Sequence, residues 1–311
     1  MVSGAGVVRG EGVGVEWWCA GGGWIDGRAV LRWRGGRVSS LAYGKPLAFR
    51  VVGERRCVGA RGNPCPHGGA PGDGGPRGAV VAGRASQARC PECARLDRAF
   101  SVAADGVPDD PRTYRVYLAW FGPGLVKVGI TAEERGAVRL LEQGAVAYGW
   151  LGRGPLMAAR RTEELLRAAL GVPDRVPYEK KRVARGALPP WPERAAELAA
   201  LHGRAVALDG WAETLEPLEF AAVDHSEPFG LERVREAGVR GVVEQLVDGG
   251  VVAGRVVAAA GPDLHLGSLV VDTRLLVGWQ LVADGGEGGT TVPVREPRGE
   301  REAPGAQEGL F

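Results

Sequence analysis

The sequence predicts an α+β protein built from several units. These are a small N-terminal β-unit over 1–56, a cysteine-rich zinc segment over 57–104, an α/β domain over 112–208, a C-terminal β-rich domain over 209–283 and a disordered tail over 284–311. Three observations carry this reading. Short apolar runs of period two, punctuated by glycine, occur towards both ends of the chain and read as strands. Segments with helix start and stop signals are concentrated in the middle. Four of the five cysteines flank a stretch rich in Gly and Pro, which cannot hold regular structure unaided. A chain of 311 residues has room for about two or three domains.

In the first unit, Val30, Leu31 and Trp33, then Leu47, Phe49 and Val51, alternate as half-buried strands do. Trp17, Trp18, Trp24 and Trp33 read as its core and rim, because aromatic side chains are common packing residues. Glycine turns separate the runs.

The next segment contains Cys57, Cys65 and the knuckle Cys90-Pro-Glu-Cys93. A CxxC pair aims two thiolates at one ion, and a second pair completes a tetrahedron of soft ligands that suits structural zinc. Seven residues between Cys57 and Cys65 is longer than the usual ligand spacing. His67 is therefore an alternative to Cys65, and free thiols with one redox CxxC are an alternative to a metal site. A site with four protein ligands has no open position for catalysis. Cys19 stands apart and reads as buried.

After the turn DGVPDDPR, residues 114–121 read as a strand, Gly122-Pro123-Gly124 as a turn and residues 125–131 as a second strand, together a hairpin. A helix is predicted over 132–143 with Thr131 as N-cap and Glu133 and Glu134 in its first turn. A third strand, AVAYGWLG, precedes a helix over 155–170 with Pro155 at its start and Gly171 past its end. Another helix is predicted over 192–208 after the LPPWP break. Beyond Asp209 short strands return, and from about 284 apolar residues become scarce.

Charge is segregated along the chain. Residues 112–185 carry 14 Lys/Arg against 7 Asp/Glu, whereas 205–311 carry 8 against 18. A basic middle and an acidic end point to an anionic partner, such as nucleic acid, for the middle alone. Lys180, Lys181 and Arg182 form a basic run that suits phosphates, although a solvated loop would have the same composition. No run approaches the ~18 apolar residues of a membrane span, and no signal-peptide pattern opens the chain. The expectation is a cytoplasmic protein with no membrane partner. His202, His225 and His265 have no assignable role.

RVYLAWF, then VKVGIT, then a helix carrying RLLEQ resembles the GIY-YIG nuclease superfamily, in the branch whose second motif reads Lys-Ile-Gly-Ile-Thr. The likeness covers about 112–172. More narrowly, cysteine motifs followed by VYLA, KVGIT and R-x-x-x-QGA are similar to a bacterial family known as domain of unknown function 2797, which brings an architecture and no established activity. The resemblance implies a GIY-YIG-like α/β core. It places Tyr117 on the tyrosine of the first motif, Gly129 on the glycine of the second, Arg139 on the helix arginine and Glu163 on the metal-binding glutamate, with Glu164 a rival one residue out of phase. The sequence departs from the pattern at Arg115, where the first motif has glycine, and at Lys127, where the second has tyrosine.

Phosphodiester hydrolysis would use these residue types. Glu163 would supply a hard oxygen ligand to Mg or Mn, and Arg139 would neutralise charge on phosphoryl oxygens. Tyr117 would act as general base or hold the attacking water, with Lys127 and Arg139 lowering its pKa. Arg135, one turn before Arg139, would extend the basic surface. The function expected is a metal-dependent nuclease, or a non-catalytic nucleic-acid-binding or partner-binding protein on the same scaffold. Under the first reading Tyr117, Lys127, Arg139 and Glu163 converge on one concave basic surface. Under a packing role Tyr117 is buried among aliphatic side chains, with Arg139 and Glu163 facing water on separate sides.

Overall fold

The structure, a computed structural model, describes residues 17–67, 78–99 and 110–297. It is mixed α+β and contains two sheets. The chain opens with strands β1 (Trp17–Ile25), β2 (Arg28–Trp33), β3 (Val38–Ser40) and β4 (Pro46–Val52), followed after the cysteines by helix α1 (Pro91–Ala99). Next come β5 (Thr113–Trp120), β6 (Val126–Ala132), a 3-10 turn at Glu133–Arg135, α2 (Val138–Gln143), β7 (Ala147–Pro155), α3 (Leu156–Leu170), α4 (Tyr178–Arg185) and α5 (Trp191–Val206). The remainder holds β8 (Glu216–Pro217), β9 (Ala222–Asp224), α6 (Ser226–Phe229), α7 (Leu231–Ala237), β10 (Gly241–Val243), β11 (Val251–Ala260), β12 (Asp263–Leu266), β13 (Leu269–Asp272), α8 (Thr273–Leu276), β14 (Gln280–Ala283) and β15 (Val294–Arg295).

The predicted N-terminal and C-terminal β-units are not separate. They form one ten-stranded sheet in the order β15-β10-β13-β12-β11-β4-β14-β1-β2-β3. Strand β4 is the seam, pairing antiparallel with β11 on one side and with β14 on the other. Its alternation of Phe49 and Val51, both buried, shows a strand with a core face. The sequence does not show that both neighbours come from about 200 residues away, because pairing partners leave no local signature. The glycine run of β1 is also strand interior rather than a turn: Gly21 to Trp24 pair with Arg32 to Ala29 of β2.

Residues 284–297 do not form a disordered tail. Thr291 N donates to Val251 O at 2.9 Å, Val292 is buried, and β15 pairs with β10. The rest of the predicted tail, 298–311, lies outside the described residues.

The second sheet has the order β6-β5-β7-β8, and β9 also pairs with β7. The predicted hairpin is β5–β6, in register Tyr117↔Gly129 and Ala119↔Lys127. One face of this sheet, with Val116, Leu118 and Val128, is in a shared apolar core with Ala159 and Leu166 of α3 and Leu198 of α5. The other face, with Tyr117, Ala119 and Phe121, packs on Leu140 of α2. The single helix expected over 132–143 is broken at Gly136, whose φ of 47° interrupts the helical path. Thr131 is not an N-cap; it is a buried residue of β6. Helix α4, over the basic run for which a solvated loop was the alternative reading, is amphipathic and reaches both Gln143 of α2 and Asp263 of β12.

The two sheets share an apolar core, and a buried ionic contact joins them as well. Asp263 of β12 has no exposed surface. Its Oδ1 accepts from Arg182 Nη2 at 2.6 Å and its Oδ2 from Arg185 Nη1 at 2.8 Å. Arg182 also reaches Asp272 at 3.2 Å. The two guanidinium groups hold the Asp263 carboxyl below the usual carboxylate range, against the opposing effect of burial. No helix among the described residues is long and apolar enough to cross a membrane.

Replacing Asp263 with Ala strands two guanidinium groups beside an emptied pocket, and should destabilise the fold by about 3–5 kcal/mol in urea unfolding. A carboxyl whose folded pKa is depressed stabilises the fold fully above its unfolded pKa and loses that contribution as pH falls through the folded value. The wild-type advantage over Asp263→Ala should therefore be constant near neutrality and shrink below about pH 4.

Candidate active site and thiolate cluster

Cys57, Cys65, Cys90 and Cys93 come together, with their sulfur atoms all within 4.8 Å of one another. The long spacing between the first two is bridged by a tight turn. Ala60 and Asn63 exchange backbone hydrogen bonds, and Arg61 and Gly62 between them both have positive φ, 56° and 81°. That geometry matches a two-residue hairpin turn, so Cys65 returns beside Cys57. Cys90 precedes α1 and Cys93 lies in its first turn. Backbone N–H groups of Gly59 and Cys90 donate to Cys57 Sγ at 3.4 and 3.2 Å. The four side chains are at most 9% exposed and unbridged. Burial pushes the Cys57 and Cys93 thiols up; at Cys65 burial does the same, but hydrogen bonds from the Ala79 and His67 backbone and from neighbouring thiols outweigh it and bring the group down to about 7. Four thiols so placed could hold a metal ion such as zinc. His67 is outside the group, its Nε2 lying 2.6 Å from Glu92 at the surface.

The second cluster forms beside β5 and β6. Tyr117, mid-strand in β5, lies over Gly129 of β6. A Cβ at Gly129 would meet the Tyr117 ring at 2.5 Å from Cζ, so glycine is required there by close approach. Strand alternation puts Lys127 on the same face as Tyr117, and its Nζ lies 5.7 Å from the Tyr117 ring centroid. Arg139 projects from α2 and Glu163 from α3. Both exert their charge on the Tyr117 phenol and on Lys127. Four elements therefore supply one polar cluster.

Tyr117, Lys127 and Glu163 are displaced from their ordinary values. Burial raises the Tyr117 phenol, against hydrogen bonds from Gln143 and Arg139. Burial, reinforced by Arg139 and opposed by Glu163 and Asp174, lowers Lys127 to about 8. Burial raises Glu163, against the attraction of Lys127. Lys127 Nζ donates to Asp174 O at 3.0 Å. Among the described residues no hydrogen bond or ion pair engages the Glu163 carboxylate. Glu164, its rival, is exposed and paired with Arg167 at 2.6 Å, which removes it from the cluster.

Tyr117 is 1% exposed and packed with Phe121, Leu140, Tyr148 and Trp150. It thus has the burial expected of a packing residue, while Arg139 and Glu163 do not lie on the separate sides that such a role predicts. Of the expected phosphate-binding cations, Lys181 and Arg182 are corrected. Lys181 is 3% exposed and donates to Gln143 O at 3.1 Å, while Arg182 is committed to Asp263 and Asp272. Helix formation turns both inward, where acidic and carbonyl partners wait. Lys180 is exposed. Arg135 is exposed and bound to Glu142 at 2.6 Å, the carboxylate that also lies 3.8 Å from Arg139.

Gln143 escaped the sequence reading. Its Nε2 donates to Tyr117 Oη at 2.7 Å. The available signal was its spacing, four residues after Arg139 and hence on the same helix face.

Gly129→Ala forces a methyl group into the Tyr117 ring. It should cost about 1–3 kcal/mol of stability in chemical unfolding, as overpacked sites do, and disturb the Tyr117 environment first.

No curated protein and no solved structure matches the chain. One family does, over residues 44–281, a stretch from β4 to β14 that takes in the thiolate cluster, the second sheet and the Asp263 joint. The chain belongs to the family described as "Protein of unknown function (DUF2797)".

Proposed function

We propose that this protein is a metal-dependent nuclease-like protein acting on phosphodiester bonds of nucleic acid, with Tyr117, Lys127, Arg139 and Glu163 as its site. One observation supports this above the rest: Tyr117 of β5 and Lys127 of β6 share one face, with Lys127 Nζ 5.7 Å from the Tyr117 ring, and Arg139 of α2 and Glu163 of α3 lie near enough to bear on both. Perturbed ionisable groups gathered at one place are characteristic of reactive sites.

The residue chemistry suits the reaction. Glu163 is a carboxylate with no hydrogen bond or ion pair among the described residues, and one such oxygen donor matches Mg or Mn, which keep most of their waters. The ion when bound supplies a Lewis acid for a phosphoryl oxygen. Arg139, with its side chain 43% exposed, is placed to neutralise phosphoryl charge. Lys127 contributes a second cation 5.7 Å from the Tyr117 ring, and the Tyr117 oxygen would hold the attacking water, or deprotonate it in the phenolate form that burial disfavours. The tetrathiolate cluster fits structural zinc by donor type and number, and its folding contribution replaces an apolar core that the Gly/Pro-rich segment lacks.

A second reading, nucleic-acid binding without cleavage, is favoured by the burial of Tyr117. A base at 1% exposure must be reached by a water rather than by the scissile group itself.

Glu163→Gln should lower Mg- or Mn-dependent cleavage of branched, single- or double-stranded DNA or RNA at least about 100-fold, with binding affinity changed less than about threefold. A variant that cuts as well as wild type overturns the metal assignment. Salt-dependent binding without cleavage by wild type selects the second reading. Metal analysis should find about one zinc ion per chain, and Cys90→Ser or a strong chelator should remove it and lower the melting temperature. His67→Ala should leave the zinc content unchanged.

A further inference from the structure

The nuclease reading leaves one polar contact of the cluster without a role. Gln143 ends α2 and is 6% exposed, enclosed with Tyr117, Leu140 and Ala145. A buried primary amide is costly unless its hydrogen bonds are made, so packing alone would favour an apolar side chain here. Its Nε2 instead donates to Tyr117 Oη at 2.7 Å.

The backbone of Gln143 is held from two directions. Lys181 Nζ, 3.8 Å from the Phe121 ring centroid, donates to Gln143 O at 3.1 Å. The following residue, Gly144, caps α2 in the left-handed region at φ 71° and meets the β11–β12 turn backbone to backbone. A Cβ on Gly261 would lie 2.8 Å from Gly144 N and 3.0 Å from Gln143 C. These contacts leave α2 little freedom to translate, so the amide is aimed by the same joint that joins the sheets through Arg182, Arg185 and Asp263.

We propose that Gln143 is a positioning residue, which fixes the Tyr117 hydroxyl as a hydrogen-bond acceptor beside Arg139 and Glu163. The assignment rests on reading that cluster as the active site. An amide N–H given to a phenol oxygen favours the phenolate over the phenol, and it occupies one lone pair, so that the phenol's own proton and remaining lone pair turn towards the cluster. The charged groups that act on the hydroxyl are Arg139 from α2 and Glu163 from α3, and Lys127 from β6 lies 5.7 Å from the ring centroid. Tyr148 and Trp150 from β7 contribute only ring packing.

Full-length protein carrying tyrosine labelled with 13C at Cζ gives a readout that does not need activity. The Tyr117 signal is assigned by its loss in Tyr117→Phe. Gln143→Met keeps the side-chain length and removes the donor. Gln143→Glu places a carboxylate against the phenol and serves where the Met variant does not fold. Tyr117 should ionise at least about one pH unit, or tenfold in proton affinity, lower in wild type than in either variant, a midpoint beyond the accessible range in the variant included. Equal midpoints, or no ionisation in any of the proteins, overturn the assignment. In cleavage assays the variants should lose kcat with KM unchanged, and the rising limb of the pH profile, along which Tyr117 loses its proton, should move upward with the Tyr117 midpoint. A wild type that cuts nothing while the midpoints differ removes the nuclease reading and keeps Gln143 as the residue that tunes Tyr117. A wild type that cuts while the midpoints coincide does the reverse.

Discussion

The buried carboxylate of Asp263 between Arg182 and Arg185 is the constraint on which the arrangement depends. A carboxylate with no exposed surface is tolerable only where opposite charge and hydrogen bonds replace its water. Here both guanidinium groups come from α4 and the carboxylate from β12, so the interaction is satisfied only when the helix of the second sheet is seated on the first. Such a contact adds little net stability compared with an apolar one, but its geometry is demanding, and a displaced α4 leaves charges uncompensated. Position, more than stability, is what it supplies.

That position reaches the candidate site in two steps. Seating α4 directs Lys181 onto the carbonyl of Gln143, and Gln143 directs its amide onto Tyr117. The glycine contact between Gly144 and Gly261 brings the backbones close enough for both. Sequence positions from 117 to 263 thus meet within one packed joint, although the two sheets have separate hydrogen-bond ladders. The thiolate cluster is another solution to the same problem of a segment with few apolar residues: its core consists of the four cysteines and Ala60, with Ala79 and Val81 packed against them.

What the sequence disclosed follows a physical division. The β5–β6 hairpin, with its turn at Gly122-Pro123-Gly124, was legible because turn chemistry and period-two alternation are local. The same alternation put Tyr117 and Lys127 on one face. The grouping of the cysteines was legible in part, because the Cys90–Cys93 knuckle is a local pattern, though the Arg61–Gly62 turn that makes seven intervening residues between Cys57 and Cys65 workable was not foreseen. Non-local pairing was invisible. Leu47, Phe49 and Val51 announce a strand, yet nothing in them names β11 and β14 as neighbours, and so one sheet was read as two units.

The basic run at 180–182 shows why charge alone is a weak guide to partners. Lys180, Lys181 and Arg182 are consecutive, so a helix turns them about 100° apart. Only Lys180 remains exposed. Lys181 and Arg182 find a carbonyl and carboxylates inside the protein, and those carboxylates lie some 80–90 positions later in an acidic part of the chain. The segregation of charge along the sequence, basic in the middle and acidic at the end, is therefore used in part within the molecule. The cations that remain for an outside anion are fewer than the composition implies. Lys127 stands out among them because the groups around it, Tyr117 and Glu163, are members of a partly buried cluster, and Arg139, although 3.8 Å from Glu142, acts on the same cluster. A phosphate would meet positive charge at that place against a low-dielectric wall, where a given charge acts more strongly than on open surface. That argues for locating the anionic partner suggested by the sequence at the edge of β6 rather than along α4.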